Sequence, residues 1–121
     1  MLVLSHIARL FSPSMELTCQ VQCYPWGKVG HESEVGALHS ANAGAALDPS
    51  TTYAELWMGT HPNAPSMLAN QQPLGAWLAE HSETLGEGVR AAFGNQLPFL
   101  FKVLSINKAL SIQAHPDKVT R

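Results

Sequence analysis

Near its carboxyl end the chain alternates apolar and polar residues from Leu110 to His115. On a β-strand a period of two puts Ser111, Gln113 and His115 on one face and Leu110, Ile112 and Ala114 on the other. At a strand rise of roughly 3.3–3.4 Å per residue, Gln113 and His115 lie about 7 Å apart. Both can then reach one metal ion. A catalytic zinc normally takes three protein ligands and leaves one position open. This imidazole and this amide are two donors, and glutamine is an uncommon zinc ligand. The remaining ligands have to come from upstream, from another chain or from sequence beyond this one. His61 and His81 have no ligand spacing to anything else, and a lone histidine near a strand end is also a common structural group.

Two charged residues stand inside apolar segments. Lys102 interrupts Leu97-Pro98-Phe99-Leu100-Phe101-Lys102-Val103-Leu104. An ammonium there is costly unless an anion meets it. It either snorkels to an edge or points into a cavity that holds a phosphate or carboxylate. Glu55 lies between Tyr53 and Trp57 on one strand face. It is either a solvent-facing glutamate or, paired with a lysine or metal, an acid, a base or a substrate clamp. Trp26, between Pro25 and Gly27, is either a lid on the core or a pocket wall on which a sugar ring stacks.

The 121 residues fit one small domain. Charged residues make up 13% of the chain, well under the typical value of about 25%. This implies surface meant to be covered, or a piece of something larger. A net charge of -2 and a pI near 6.3 argue against nucleic acid as a partner. No stretch approaches the roughly 18 apolar residues of a membrane span. Cys19 and Cys23 are spaced poorly for a disulfide on an extended strand and read as reduced core residues, which fits a reducing, cytoplasmic compartment. Residues 1–14 contain no acid and carry Arg9 and His6. They read as a poorly ordered extension, with a transit peptide as the other reading and Met15 as an alternative start.

These chemical groups need strands to hold them. Alternation predicts strands over Leu17–Val21, Tyr53–Met58 and Leu110–His115, and an apolar strand over Leu97–Leu104. The last two are expected to form a hairpin through Ile106-Asn107-Lys108. Tyr24-Pro25-Trp26-Gly27 is a turn. Ser33–Leu38 is a short helix, and Ala41–Ser50 a loop. His61–Pro65 is stiffened by its prolines. Pro73 opens a helix with Leu74, Trp77, Leu78 and His81 in its stripe. A second helix runs from Glu87 to Phe93 and stops at Gly94. The expected class is mainly β with a helical insertion between Pro73 and Phe93.

Four stretches together resemble the type I phosphomannose isomerases, also called mannose-6-phosphate isomerases. They are Tyr24–Gly27, similar to that family's Tyr-x-Trp-Gly; Tyr53–Pro62, reading YAELWMGTHP; Leu97–Leu104, reading LPFLFKVL; and Leu110–Lys118, reading LSIQAHPDK. The second and fourth are long and specific, and the order and spacing match the family's amino-terminal region. The resemblance covers Cys19 to Lys118.

It implies a zinc enzyme that interconverts mannose 6-phosphate and fructose 6-phosphate, supplying GDP-mannose for glycosylation. It also implies a cupin-like jelly-roll barrel, here partial, with 15–121 as a truncated amino-terminal part of the catalytic domain. Carried over by position, Gln113 and His115 are zinc ligands. Glu55 and Lys102 are catalytic candidates. Trp26, Ser111 and Lys102 line the substrate cavity. The partner is then a small sugar phosphate, with neither nucleic acid nor membrane. The family's other zinc ligands, a glutamate and a histidine, and an arginine proposed to assist catalysis lie downstream of the Gln-x-His strand and have no counterpart in this chain. An inactive truncated enzyme is therefore expected. The alternatives are a non-catalytic fragment that binds or regulates, and an unrelated metal-binding barrel with Glu55 as a third ligand.

Overall fold

In a computed structural model of the chain, residues 15–112 and 114 are described. The extension over 1–14 and the metal-ligand candidates Gln113 and His115 lie outside the described residues.

The strands are short: β1 Leu17–Thr18, β2 Gln20–Gln22, β3 Lys28–Val29, β4 Thr52–Tyr53, β5 Glu55–Met58, β6 Met67–Leu68 and β7 Phe101–Leu104. The helices are α1 Glu34–Ala43, α2 Leu74–Glu80 and α3 Glu87–Phe93, with 3-10 turns at Gly30–Glu32 and Ser82–Leu85. The strands form an antiparallel pair β1-β6, a sheet ordered β2-β5-β7, and an antiparallel pair β3-β4. Among the described residues more lie in α-helix than in strand, and no barrel closes. The expectation of a mainly β chain is thus corrected to a mixed α and β fold.

The described residues fall into two units, one of 15–20 with 57–101 and the other of 21–56 with 102–112 and 114. In the first, β1 pairs with β6 through Leu17 and Leu68. Leu68, Leu74 and Leu78 form a buried cluster against which Leu17, Trp77, Leu85 and Leu97 pack. The helical excursion supplies this core, because the spacing of Leu74 and Leu78 puts both on one stripe of α2. Pro73 stands at the cap rather than inside the first turn, a difference within the usual ambiguity of helix ends. At the other end His81 stacks on Trp77, 4.3 Å between ring centroids.

In the second unit, Ser33 caps α1. Its hydroxyl accepts from the Gly36 N–H at 3.1 Å and donates to the Tyr53 carbonyl at 2.7 Å. One side chain thereby starts the helix and ties it to β4. The helix runs past the expected end at Leu38 to Ala43. Leu38-His39-Ser40-Ala41-Asn42-Ala43 contains no breaker, and termination waits for Gly44 in the left-handed region, φ 64°.

Other expectations fail for identifiable reasons. The strand predicted over Leu97–Leu104 begins only at Phe101, past Pro98, which has no N–H for a ladder. Leu17–Val21 divides at Cys19, so that β1 and β2 join different sheets. Cys19 is buried but Cys23 is exposed, so only one cysteine is a core residue. Finally, Leu110, Ser111 and Ile112 form no strand, and Leu110 and Ile112 are both exposed. The predicted hairpin is absent among the described residues; Ile106 instead bridges to Gly27.

Candidate functional site

The expected site residues that are described come from four places in the second unit, the last being the irregular segment with Ser111. The first is the turn after β2. The Gly27 N–H donates to the Tyr24 carbonyl at 3.0 Å, closing a turn with Pro25 at the position where its fixed φ is favoured. A glycine is required at 27 by close approach: a Cβ there would lie 2.7 Å from Ala54 Cα and Cβ. The turn's outer end is held as well, since the Trp26 carbonyl accepts from the N–H groups of Asn107 and Lys108 at 2.9 and 3.2 Å. Those bonds fix the start of the segment that leads to Ser111.

The second and third places are β5 and β7, neighbours in the sheet. Ala54 anchors them, donating to the Gln22 carbonyl and accepting from the Ser105 N–H, each at 2.9 Å. Adjacent strands bring Glu55 and Lys102 together, with Lys102 Nζ 3.1 Å from Glu55 Oε2. Lys102 and Leu104 share a face by the period of two.

The burial of this pair is uneven. The Glu55 side chain is 9% exposed and that of Lys102 37%. A solvent-facing glutamate is therefore excluded. Buried carboxylates are stabilised by a cation close by. With its lysine partly in water, the pair's net contribution lies nearer the 0.2–1 kcal/mol typical of exposed pairs than the roughly 3–5 kcal/mol lost on breaking a buried one. Stability alone is a weak reason for such an arrangement; it presents a positioned carboxylate and ammonium at a cavity.

That cavity has a volume of 610 Å³ and is lined by Tyr24, Trp26, Glu55, Lys102, Leu104, Ala109, Leu110 and Ser111. Its size falls within the range of about 300–1,000 Å³ usual for small-molecule sites. Trp26, Glu55, Lys102 and Ser111, drawn from separate stretches of sequence, thus meet on one cavity wall. Sequence reasoning missed Tyr24, Leu104, Ala109 and Leu110. Leu110 was expected to face away from Ser111, but 109–112 is irregular and both line the cavity. Tyr24 had a legible signal, two residues before Trp26 and across a proline.

A metal shell is not made by the described residues. No group of three His, Cys, Asp or Glu side chains among them is arranged to hold an ion. Among the described residues Glu55 is the cavity's one carboxylate, and it is engaged with Lys102. The third-ligand role considered for Glu55 has no second described donor to complete it.

Comparisons with known proteins place the chain in a family. The family model for the catalytic domain of type I phosphomannose isomerase matches residues 14–121. The chain belongs to the type I phosphomannose isomerase family. Among curated relatives, the mannose-6-phosphate isomerase of Schizosaccharomyces pombe is 58% identical over 103 residues, spanning 84% of this chain and 24% of that protein. The mouse mannose-6-phosphate isomerase is 50% identical over 107 residues, spanning 84% and 25%. The chain therefore spans about a quarter of the length of these relatives. Among solved structures, a mutant phosphomannose isomerase from Salmonella typhimurium matches with a TM-score of 0.72 and 38% identity, over 88% of this chain and 26% of that one. A mannose 6-phosphate isomerase bound with zinc and yttrium matches at a TM-score of 0.68 and 39% identity, over 86% and 25%. No helix among the described residues is long and apolar enough to cross a membrane.

Proposed function

We propose that this chain carries the sugar-phosphate-binding wall of a zinc-dependent isomerase that interconverts mannose 6-phosphate and fructose 6-phosphate. The observation that carries the reading is the Lys102–Glu55 pair, 3.1 Å apart and facing a cavity that Trp26 and Ser111 also line. Each element of that wall suits a phosphorylated sugar. An ammonium and a hydroxyl donor attract a phosphate or a polarised oxygen. An indole offers an apolar face to the sugar's carbons. Glu55 supplies the carboxylate.

Aldose–ketose isomerisation moves a proton between adjacent carbons through a cis-enediol. Negative charge develops on the carbonyl oxygen as the proton leaves. Lys102 binds the phosphate, and fixing that end holds the reacting carbons in place for the proton transfer. Glu55 is the carboxylate placed to accept a hydroxyl or carbon-bound proton, with the Lys102 ammonium 3.1 Å away. Ser111 binds a substrate oxygen. Zinc would add Lewis-acid polarisation of a substrate oxygen, and Gln113 and His115 are the residues proposed to hold it.

The likeness to solved phosphomannose isomerases supports 15–121 as an amino-terminal part of the catalytic domain, contributing strands to a cupin-like jelly roll. A cytoplasmic setting and supply of mannose phosphate toward GDP-mannose go with that role. The test is a chimera in which residues 15–121 replace the matching segment of the Schizosaccharomyces pombe relative. It should convert mannose 6-phosphate to fructose 6-phosphate. Lys102→Ala and Glu55→Gln should each lower kcat/KM by about a hundredfold or more. A chimera that turns over normally with both substitutions present would overturn the proposal.

A further inference from the structure

Beside Trp26 the described lining of the cavity holds a second aromatic ring, that of Tyr24. Tyr24 stacks on Trp26, with ring centroids 5.7 Å apart and planes at 23°. The geometry follows from the turn. A residue before proline is held extended, and the bond from the Gly27 N–H to the Tyr24 carbonyl closes the loop. Positions 24 and 26 then project their rings side by side. The turn cannot drift, because Gly27 abuts Ala54 and the Trp26 carbonyl is held by Asn107 and Lys108. Tyr24 nevertheless remains 37% exposed. Tyr24 lines the cavity beside Trp26.

We infer that Tyr24 is a specificity-determining residue for a phosphorylated sugar. It extends the Trp26 indole into a two-ring wall that grips the carbon skeleton while Lys102 takes the anionic end. The inference rests on the sugar-phosphate reading of this site. It adds that discrimination between a sugar phosphate and phosphate alone comes from the stacked pair. An anion without carbon skeleton touches the ammonium and not the rings. A sugar phosphate touches both, and contact of an aromatic face with a flat apolar surface contributes about three- to tenfold in affinity.

The test is calorimetric titration of the 121-residue chain with mannose 6-phosphate and, separately, with inorganic phosphate. The chain should prefer the sugar phosphate. Tyr24→Leu, which removes the ring, should weaken mannose 6-phosphate binding about three- to tenfold and leave phosphate binding unchanged. Tyr24→Phe, which keeps the ring, should retain the preference. Lys102→Ala should weaken both ligands. An unchanged sugar-phosphate affinity in Tyr24→Leu overturns the role of the ring. Equal weakening of both ligands in that variant also overturns it, since the turn would then be holding Lys102's surroundings rather than gripping the sugar. A chain that binds neither ligand overturns the Tyr24 inference, while the sugar-phosphate reading itself stands or falls with the activity of the chimera.

Discussion

Replacing Gly27 by alanine should damage the candidate site through one atom. The added Cβ would stand 2.7 Å from Ala54 Cα and Cβ and 2.9 Å from Ala54 N. Backbone atoms cannot rotate away as a side-chain end can. Moving Ala54 would strain its bonds with Gln22 and Ser105, both 2.9 Å, and moving Gly27 would pull Trp26 off Asn107 and Lys108. Overpacking a well-packed site costs about 1–3 kcal/mol, and the rigidity here puts Gly27→Ala near the upper end. At about 4 °C per kcal/mol for a domain of this size, the thermal midpoint should fall by roughly 12 °C. Gly88 in α3 is the internal control, because a Cβ there meets nothing within 4 Å. Gly88→Ala should gain about 0.5–1 kcal/mol from reduced chain entropy and better helix propensity. Thermal and urea unfolding of the two variants, followed by circular dichroism, reads the difference directly. If Gly27→Ala melts within about 2 °C of the parent chain, the close approach of the Trp26 turn to β5 is wrong.

Ser33→Ala removes both the α1 cap and the bond to the Tyr53 carbonyl. It should cost about 1–3 kcal/mol in urea unfolding, and a cost below about 0.5 kcal/mol would contradict the dual role. The hydroxyl of Ser50 holds the Asp48 carboxyl below its ordinary 3.8, aided by the Ser50 N–H and by Thr51. A depressed carboxylate stabilises the fold above its unfolded value and loses that contribution as pH falls through the folded one. The stability gap between the parent chain and Asp48→Asn should therefore be present at neutral pH and close in acid below the ordinary value; a gap that widens in acid would refute the assignment. Burial raises both thiols above their ordinary range, Cys19 despite the opposing hydrogen bond from Ser66, but only Cys23 is open to solvent. A thiol reagent at neutral pH should thus label exposed Cys23 first and Cys19 only on unfolding, as read by mass spectrometry of peptides; equal rates would refute the burial of Cys19.

Sequence by itself determined what depends on neighbours in the chain. The Tyr24–Gly27 turn follows from a proline and a glycine at fixed positions. The helical excursion follows from apolar spacing over Leu74–Leu78 and from the glycine after Phe93. The four motifs placed the chain among the phosphomannose isomerases, because long specific words survive without a structure to support them. Local pattern failed where tertiary context decides. Alternation over Leu110–His115 suggested a strand, yet a strand exists only when a partner supplies its hydrogen bonds, and Leu110, Ser111 and Ile112 form none. A helix expected to end at Leu38 ran on to Ala43 and stopped at Gly44, a residue at ease with positive φ. The chemistry of Glu55 was undecidable in one dimension, since solvent-facing and cavity-facing glutamates share the same alternation. Only the adjacency of β5 and β7 put its carboxylate beside Lys102. Pairing of strands far apart in the chain is set by the whole sheet's packing, not by either strand, so the tertiary structure alone turned two isolated charges into one wall of a cavity.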